Sequence, residues 1–321
     1  MKYIKLGNTD IEISRIGIGG MSFGERFEDF HMWTLDQKET TEMIRHAYDL
    51  GVNFIDTANQ YAHGTSEEYI GKAIKTLGIP RDKIIIASKV YFNEGKLSRE
   101  AIVREIEVSL MRLDTDYIDL YQLHRFDYDT PIEETMETLH ELVTSGKVRA
   151  LGASAMYGYQ FHNMQLCAEK YGYTQFSTMQ NHYNLLYRED ERELIPICEQ
   201  YQVSRIPYSP LAGGHLTRKE WDNHSLRNET DNINKRKYDY GMSNDIKIVE
   251  RVAEIADKYQ VSMTQVALAW LYAKGVAAPI VGATKWKHFE DAVQAIDLVL
   301  TKEDVNYLEE LYYPHKISGA R

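Results

Sequence analysis

Several features that mark other classes of protein are scarce or absent in this 321-residue sequence. It has only two cysteines, Cys167 and Cys198, and neither has metal-ligand spacing, so we expect two buried or part-buried thiols, which fits a reducing compartment. No apolar run approaches the roughly 20 residues of a membrane span. Residues 1–10 also lack the apolar core of a signal peptide. These absences predict a cytoplasmic protein without a membrane partner.

Acidic residues outnumber basic ones, 48 to 37. The net charge is −11 and no long basic run occurs, so nucleic acid is not expected as a partner. The run Gly17-Ile18-Gly19-Gly20 lacks the spacing of a dinucleotide-binding fingerprint. What the sequence does have is the composition of a globular protein, with 43% hydrophobic and 26% charged residues.

Strand-like and helix-like segments alternate from one end of the chain to the other. Eight strands, most followed by a helix, predict a (β/α)₈ TIM barrel that forms a single domain of residues 1–321. A doubly wound open sheet is the alternative, although polar residues at the ends of several strands favour the barrel. The strand candidates are Arg15–Gly19, Val52–Asp56, Lys83–Lys89, Tyr117–His124, Val148–Gly152, Thr178–His182, Ser204–Tyr208 and Ala278–Gly282.

Three further segments stand apart from this alternation. Lys2–Ile13 predicts an N-terminal β-hairpin that closes the barrel bottom. Met21–Leu35 is an aromatic-rich loop, and Ala212–Ser243 is predicted to be a long polar loop. Loops of this length in compact domains are usually functional or disordered.

Four polar residues lie close to the ends of predicted strands: Asp56, Tyr61, Lys89 and His124. Gathered at one face of a parallel barrel, they form a set that can protonate a carbonyl oxygen. Tyr61 is the candidate acid, and the Lys89 ammonium would lower its pKa from the usual value of about 10. Asp56 would keep Lys89 charged, and His124 would orient the carbonyl. The hydride has to come from a cofactor, because no side chain supplies one.

Motifs around these residues resemble the aldo-keto reductase family. They are the stretch from Phe54 through Tyr61 to Gly71, Lys89 in Ala-Ser-Lys-Val, His124 in Leu-Tyr-Gln-Leu-His-Arg, and the runs at 146–154, 208–214 and 279–285. Runs 131–135 and 181–189 resemble the bacterial branch that includes the YajO-type reductases. The resemblance extends from about Leu6 to Tyr312 and implies reduction of an aldehyde or ketone.

The resemblance implies NADPH as the cofactor, with NADH less favoured, and no metal. Ser154 and Gln180 would hold the nicotinamide carboxamide and Tyr208 would stack on the ring. Lys285 would bind the 2′-phosphate that distinguishes NADPH from NADH. The other implied contacts are Gly20, Met21, Asp56, Ser209, Leu211, Gly213, Gly282, Thr284, His288 and Asp291, with Lys219 and Arg227 closing the 212–243 loop over the cofactor. Ala155, His288 and Ala292 depart from the family pattern.

The implied substrate is a small or medium carbonyl compound, because aromatic side chains are expected to wall the barrel mouth. The residues expected there are Phe23, Trp33, Tyr91, Phe92, Arg125 and Tyr157. A cofactor-binding regulatory module with weak or vestigial reductase activity is the alternative. A metal- or serine-dependent hydrolase is disfavoured, because the strand ends carry no His-x-His pair and residues 152–156 lack the last glycine of a Gly-x-Ser-x-Gly elbow.

Overall fold

The computed structural model describes residues 1–221 and 229–319, and its centre is a sheet of eight parallel strands in sequential order. The strands are β3 (Gly17–Gly19), β4 (Phe54–Asp56), β5 (Ile85–Val90), β6 (Ile118–Leu123), β7 (Val148–Ser154), β8 (Phe176–Gln180), β9 (Ser204–Arg205) and β10 (Ile280–Val281). β10 pairs with β3. The amides of Ala277 and Ile280 also donate to the carbonyls of Arg205 and Pro207. The sheet therefore closes, which confirms the predicted barrel over the open alternative.

Helices cover the outside of the barrel. They are α1 (Gln37–Asp49), α2 (Thr65–Leu77), α3 (Arg99–Leu113), α4 (Ile132–Thr144), α5 (Gly158–Tyr171), α6 (Leu194–Gln200), α7 (Asn232–Tyr238), α8 (Met242–Tyr259), α9 (Met263–Ala273), α10 (Trp286–Gln294) and α11 (Lys302–Glu309). Asp36 and Glu39 form a capping box at α1, and Ser98 caps α3. Both cysteines are buried and free, as predicted.

The predicted N-terminal hairpin closes the bottom of the barrel. Its strands β1 (Tyr3–Lys5) and β2 (Glu12–Ser14) pair antiparallel. Leu6 and Ile13 are fully buried in one apolar cluster with inward-facing strand residues. The turn needs glycine at position 7, because φ is 56° and a Cβ there would lie 2.3 Å from the Ser177 carbonyl oxygen.

The alternation of side chains along each strand sorts the barrel interior into layers. Phe54, Ile85 and Ala87 belong to the apolar cluster at the bottom. Two residues further along their strands, Asp56 and Lys89 point into the same interior and form an ion pair. This polar pair therefore lies near the carboxyl ends of the strands, where a TIM barrel has its active site.

The described parts of the segment 212–243 differ from the predicted continuous loop, of which residues 222–228 lie outside the described residues. Ala212–Thr217 form a 3₁₀ turn, α7 follows, and α8 begins at Met242. Asp231 caps α7 by accepting from the Asn234 amide, and α7 buries Tyr238. The polar composition of the segment gave no sign of this helix, because the burial of Tyr238 depends on tertiary packing. No helix in the described ranges is long and apolar enough to cross a membrane.

Candidate active site

Lys89 lies at the centre of a buried polar cluster at the barrel mouth. Its ammonium donates to Asp56 Oδ2 at 2.6 Å, to the Thr57 carbonyl at 2.8 Å and to the Tyr61 hydroxyl at 3.3 Å. Lys89 and Asp56 are 0% and 2% exposed, and Tyr61 is 8% exposed. The structure thus brings together three of the four residues selected from the sequence, with all three donor positions of the ammonium occupied.

Asp56 is held from its other side by two amides. Its Oδ1 accepts from Gln122 Nε2 at 2.9 Å and from Gln180 Nε2 at 2.8 Å. These two bonds hold the Asp56 carboxylate in place, and the carboxylate in turn holds the Lys89 ammonium. The sequence reasoning missed Gln122, although it stands two residues before His124 on the same face of β6. It assigned Gln180 to a cofactor, but here Gln180 donates to Asp56.

Burial and charge act in opposite directions on Tyr61 and Lys89. Burial raises the pKa of Tyr61, and this outweighs the lowering by Lys89, so the phenol holds its proton more firmly than a free one. The sequence-based expectation of a lowered pKa is therefore wrong for this state of the site. Burial also pulls the pKa of Lys89 down, but Asp56 and Tyr61 together raise it, so the lysine stays charged.

His124 completes the set from the end of β6. Its ring meets that of Tyr61 edge to face, with centroids 5.7 Å apart. Burial, then Lys89 and Arg125, hold the pKa of His124 well below its ordinary value, so the imidazole is neutral. Nδ1 is buried without a hydrogen-bond partner, which leaves Nε2 as the nitrogen available to a substrate.

The turn after Tyr61 is held in an unusual backbone conformation. Ala62, His63 and Gly64 have φ values of 47°, 53° and 95°, which costs free energy that the surroundings must supply. Arg112 supplies contacts there: it donates to the Asn59 carbonyl at 3.0 Å and packs its guanidinium against Gly64.

The residues expected to wall the substrate pocket divide into two groups. The ring of Phe92 packs edge to face on His124, with centroids 5.0 Å apart, and the residue is 46% exposed. Tyr91 packs on Phe92. Arg125 and Tyr157 are half-buried.

Two of the expected wall residues are enclosed instead. Phe23 is fully buried in the core outside the barrel, so no part of its surface is exposed at the barrel mouth. Trp33 is buried and packs on His31. Phe30 was missed as a wall residue, and its centroid lies 6.4 Å from that of Tyr61.

Tyr208, expected to stack on nicotinamide, is already in contact with other groups. His182 stacks on its ring at 5.2 Å, and the Lys237 ammonium lies 4.8 Å from the ring centroid. Gly319 lies so close that a Cβ on it would be 2.4 Å from the Tyr208 hydroxyl. Burial raises the pKa of Tyr208 to about 12. Ser154 and Gln180 are paired in neighbouring strands, and Gly20 packs against the Asp56 carbonyl.

The segment 312–319, here called the C-terminal tail, reaches Tyr208 because the run 181–189 binds it. The Tyr187 hydroxyl accepts from the Ser318 amide at 2.8 Å. Glu189 accepts from the Tyr312 hydroxyl and from the His315 amide, both at 2.7 Å. The motif that resembled a branch signature thus has a structural partner at the far end of the chain.

The residues expected at the adenosine end lie together beside α10. Lys285 precedes this helix, and no side chain caps its N-terminus. Burial, then Lys285 and Arg218, lower the pKa of His288, so three basic side chains are close neighbours. Arg218 was missed, although it adjoins Lys219 in sequence. Thr284, Lys285 and His288 are exposed and Asp291 is half-buried.

The remaining implied contacts follow the loop after β9. Ser209, Leu211 and Gly213 are half-buried there, as is Met21 after β3. Lys219 instead faces outward, 64% exposed and 3.8 Å from Asp257. Arg227 lies outside the described residues.

The exposed residues beside α10 have the chemistry to hold a phosphate-bearing cofactor. Cations beside an uncapped helix N-terminus suit a phosphate group. Gly282 is exposed, and a Cβ there would meet its nearest atoms, at 3.9 Å, only in ordinary van der Waals contact. No group of three or more acidic, histidine or cysteine side chains that could hold a metal occurs within residues 1–221 and 229–319.

Comparisons with known proteins agree with this architecture. Residues 15–313 match the model of the aldo/keto reductase family. A Schizosaccharomyces pombe protein named for a proposed aryl-alcohol dehydrogenase activity is 42% identical, over 98% of this chain and 96% of its own length. The versiconal hemiacetal acetate reductase of Aspergillus parasiticus is 39% identical, over 99% of this chain and 98% of its own length.

A solved structure shares the fold over nearly the whole chain. The crystal structure of a thermostable aldo-keto reductase in complex with the inhibitor epalrestat superposes with a TM-score of 0.78 and 29% sequence identity. The match covers 97% of this chain and 100% of that one.

Proposed function

The chain belongs to the aldo/keto reductase family, and from that premise we propose that it reduces aldehydes or ketones to alcohols with NADPH. A bound nicotinamide would supply the hydride, as cofactors of this family generally do. Tyr61 is the proposed proton donor to the carbonyl oxygen. The observation that carries the proposal is the buried Lys89 ammonium, which touches both Asp56 and Tyr61.

Before reaction, the Tyr61 phenol is protonated and the His124 imidazole is neutral, as the proposed proton transfer requires. Tyr61 keeps its phenolic proton until a carbonyl oxygen gains negative charge. When the proton leaves, Lys89 at 3.3 Å stabilises the phenolate. His124, being neutral, offers an N–H to the same carbonyl oxygen without adding a competing acid.

NADPH is proposed over NADH because Lys285, Arg218 and His288 gather at the uncapped N-terminus of α10. The residue set from Ser154 through Tyr208 to Gly282 is the proposed binding path for the rest of the cofactor, with residues 212–221 as its proposed cover. The narrower resemblance to YajO-type reductases stays a prediction, since the relatives compared above are fungal. Their names support including aromatic aldehydes among the substrates to be assayed.

The test is the substitution Tyr61→Phe, which removes one hydroxyl and keeps the ring. Turnover of an aldehyde panel, followed by NADPH absorbance, is expected to vanish while the Kd for NADPH is unchanged. Tyr48→Phe, on the outer helix α1, is the matched control and should retain full turnover. Turnover retained in Tyr61→Phe would remove Tyr61 from the role of proton donor.

The same assay separates the reductase from a regulatory module. A module with vestigial activity would bind NADPH, yet the unmodified protein would oxidise it slowly with every aldehyde offered. The complete set of Asp56, Tyr61, Lys89 and His124 supports the reductase.

A further inference from the structure

Arg125 is a half-buried cation at the barrel mouth, expected from the sequence to line the substrate pocket but not yet given a substrate group to bind. It follows His124 directly, and its guanidinium donates to the His124 carbonyl at 2.6 Å. It also lies 5.5 Å from the centroid of the Phe92 ring. In the described ranges this arginine has no other hydrogen bond and no acidic side chain as partner. Since a guanidinium has five N–H donors, most of its capacity is unused.

The charge of Arg125 affects the pKa values of two other residues of the site. After burial and Lys89, it is the next cause of the lowered pKa of His124. It acts in the same way on Tyr208, opposing the rise that burial causes. The bond from Arg125 to the His124 carbonyl, and its place by Phe92, whose ring packs on that of His124, set this cation beside the reacting groups.

Position in the barrel separates Arg125 from the proposed cofactor phosphates. Arg125 follows β6 and Phe92 follows β5, which are neighbouring strands. Lys285 follows β10, four places away around the eight-stranded closed sheet and so on its opposite side. The phosphates of a cofactor that reaches Lys285 would lie away from Arg125, on the far side of the mouth.

We propose that the substrate is an aromatic aldehyde carrying a carboxylate, and that Arg125 binds this carboxylate while Phe92 packs on the ring. This inference rests on the proposed reductase function. The planar fork of arginine matches a carboxylate in two-point contact. Half-burial strengthens that contact relative to one in open water. The aromatic rings of Phe92 and Phe30 suit a flat substrate body between the arginine and Tyr61.

The experiment compares 4-carboxybenzaldehyde with its neutral methyl ester, methyl 4-formylbenzoate, using the full chain and NADPH. The unmodified protein is expected to prefer the acid in kcat/KM. Arg125→Gln should lower kcat/KM for the acid by about 10- to 100-fold, the loss typical of a hydrogen bond to a charged group. The ester should change by no more than about 3-fold, since a general effect on His124 acts on both substrates and cancels in their ratio.

Two controls complete the design. Lys72→Gln removes the same charge from the exposed face of α2 and should leave the ratio unchanged. Arg125→Lys keeps the charge but loses the fork, and should recover only part of the preference. An unchanged acid-to-ester ratio in Arg125→Gln would overturn the proposal, even while turnover of the ester upholds the reductase function.

Binding provides a readout that does not depend on turnover. In the Tyr61→Phe background with NADPH present, calorimetry is expected to detect 4-carboxybenzaldehyde binding, weakened about 10-fold or more by adding Arg125→Gln. Equal binding by both variants would overturn the role of Arg125 whether or not the protein is a reductase.

Discussion

Lys89 Nζ lies 2.6 Å from Asp56 Oδ2, and the two side chains form an ion pair that is almost completely buried. Removing one partner of a buried pair leaves the other charge uncompensated. Asp56 also accepts from Gln122 and Gln180. Most of the polar layer at the barrel mouth therefore depends on this one carboxylate.

Asp56→Ala is expected to lower the free energy of unfolding by about 3–5 kcal/mol, the usual cost of an orphaned buried charge. Urea denaturation measures this loss. The double variant Asp56→Ala with Lys89→Met removes the orphaned ammonium, so it should regain part of the stability while remaining inactive. If the single variant unfolds at the same urea concentration as the unmodified protein, the pair does not have the energetic role given to it here.

Lys285→Ala is expected to weaken NADPH far more than NADH, by about 10- to 100-fold in Kd, because only NADPH carries the 2′-phosphate. Arg218→Ala should act in the same direction, since Arg218 is a close basic neighbour. Fluorescence titration with both cofactors measures the effect, and Lys72→Ala is the charge control. An equal loss for NADPH and NADH would mean that another group reads the phosphate.

Gly64→Ala should disturb the turn that holds Tyr61. The residue has φ of 95°, and a Cβ there would lie 2.2 Å from the Arg112 guanidinium carbon. Gly78→Ala is a matched control on the same helix, because Gly78 has φ of 65° and no atom within 4 Å of a Cβ. Both should lose about 1–2 kcal/mol of stability from the backbone strain, but only Gly64→Ala should also lower kcat. Equal kcat in the two variants would contradict the positioning role of Arg112.

Tyr187→Phe removes the hydroxyl that binds Ser318 while the ring can still stack on His182. Because the C-terminal tail and Lys237 crowd Tyr208, loosening the tail is expected to tighten NADPH binding about 2- to 10-fold. A Kd measurement tests this. Weaker binding in the variant would indicate that the tail supports the cofactor rather than competing with it.

His315 makes tail docking depend on pH. Its ring bonds Asp245 at 2.9 Å and stacks on Tyr312, and its amide donates to Glu189. Burial lowers the pKa of His315, but Asp245, the Tyr313 backbone and Glu189 together raise it more, so the folded-state pKa lies above 6.5.

The stabilisation by charged His315 is therefore complete below about pH 6.5 and is lost as the pH rises through the folded-state pKa. The difference in Tm between the unmodified protein and His315→Gln is expected to be larger at pH 6 than at pH 8.5. A difference that grows with pH would refute this sign.

Much of the fold was predictable because its signals are local. The alternation of strands and helices needs only sequence patterning, and so does the turn of the N-terminal hairpin. Strand order in a parallel barrel then follows chain order, and the barrel was confirmed. The α7 helix was not predicted, because its sequence is polar and its stability depends on the burial of Tyr238.

By itself, the sequence determined which side chains end neighbouring strands, and therefore that Asp56, Lys89 and His124 share one end of the barrel. Side-chain alternation and chain order are sufficient for that conclusion. Only the tertiary structure decided the protonation and the contacts of the site, because the spacing of residues in a sequence does not reveal their burial or their long-range neighbours. Burial reversed the expected shift of the Tyr61 pKa, Gln122 joined Asp56 across 66 positions of sequence, and the C-terminal tail came to lie against Tyr208.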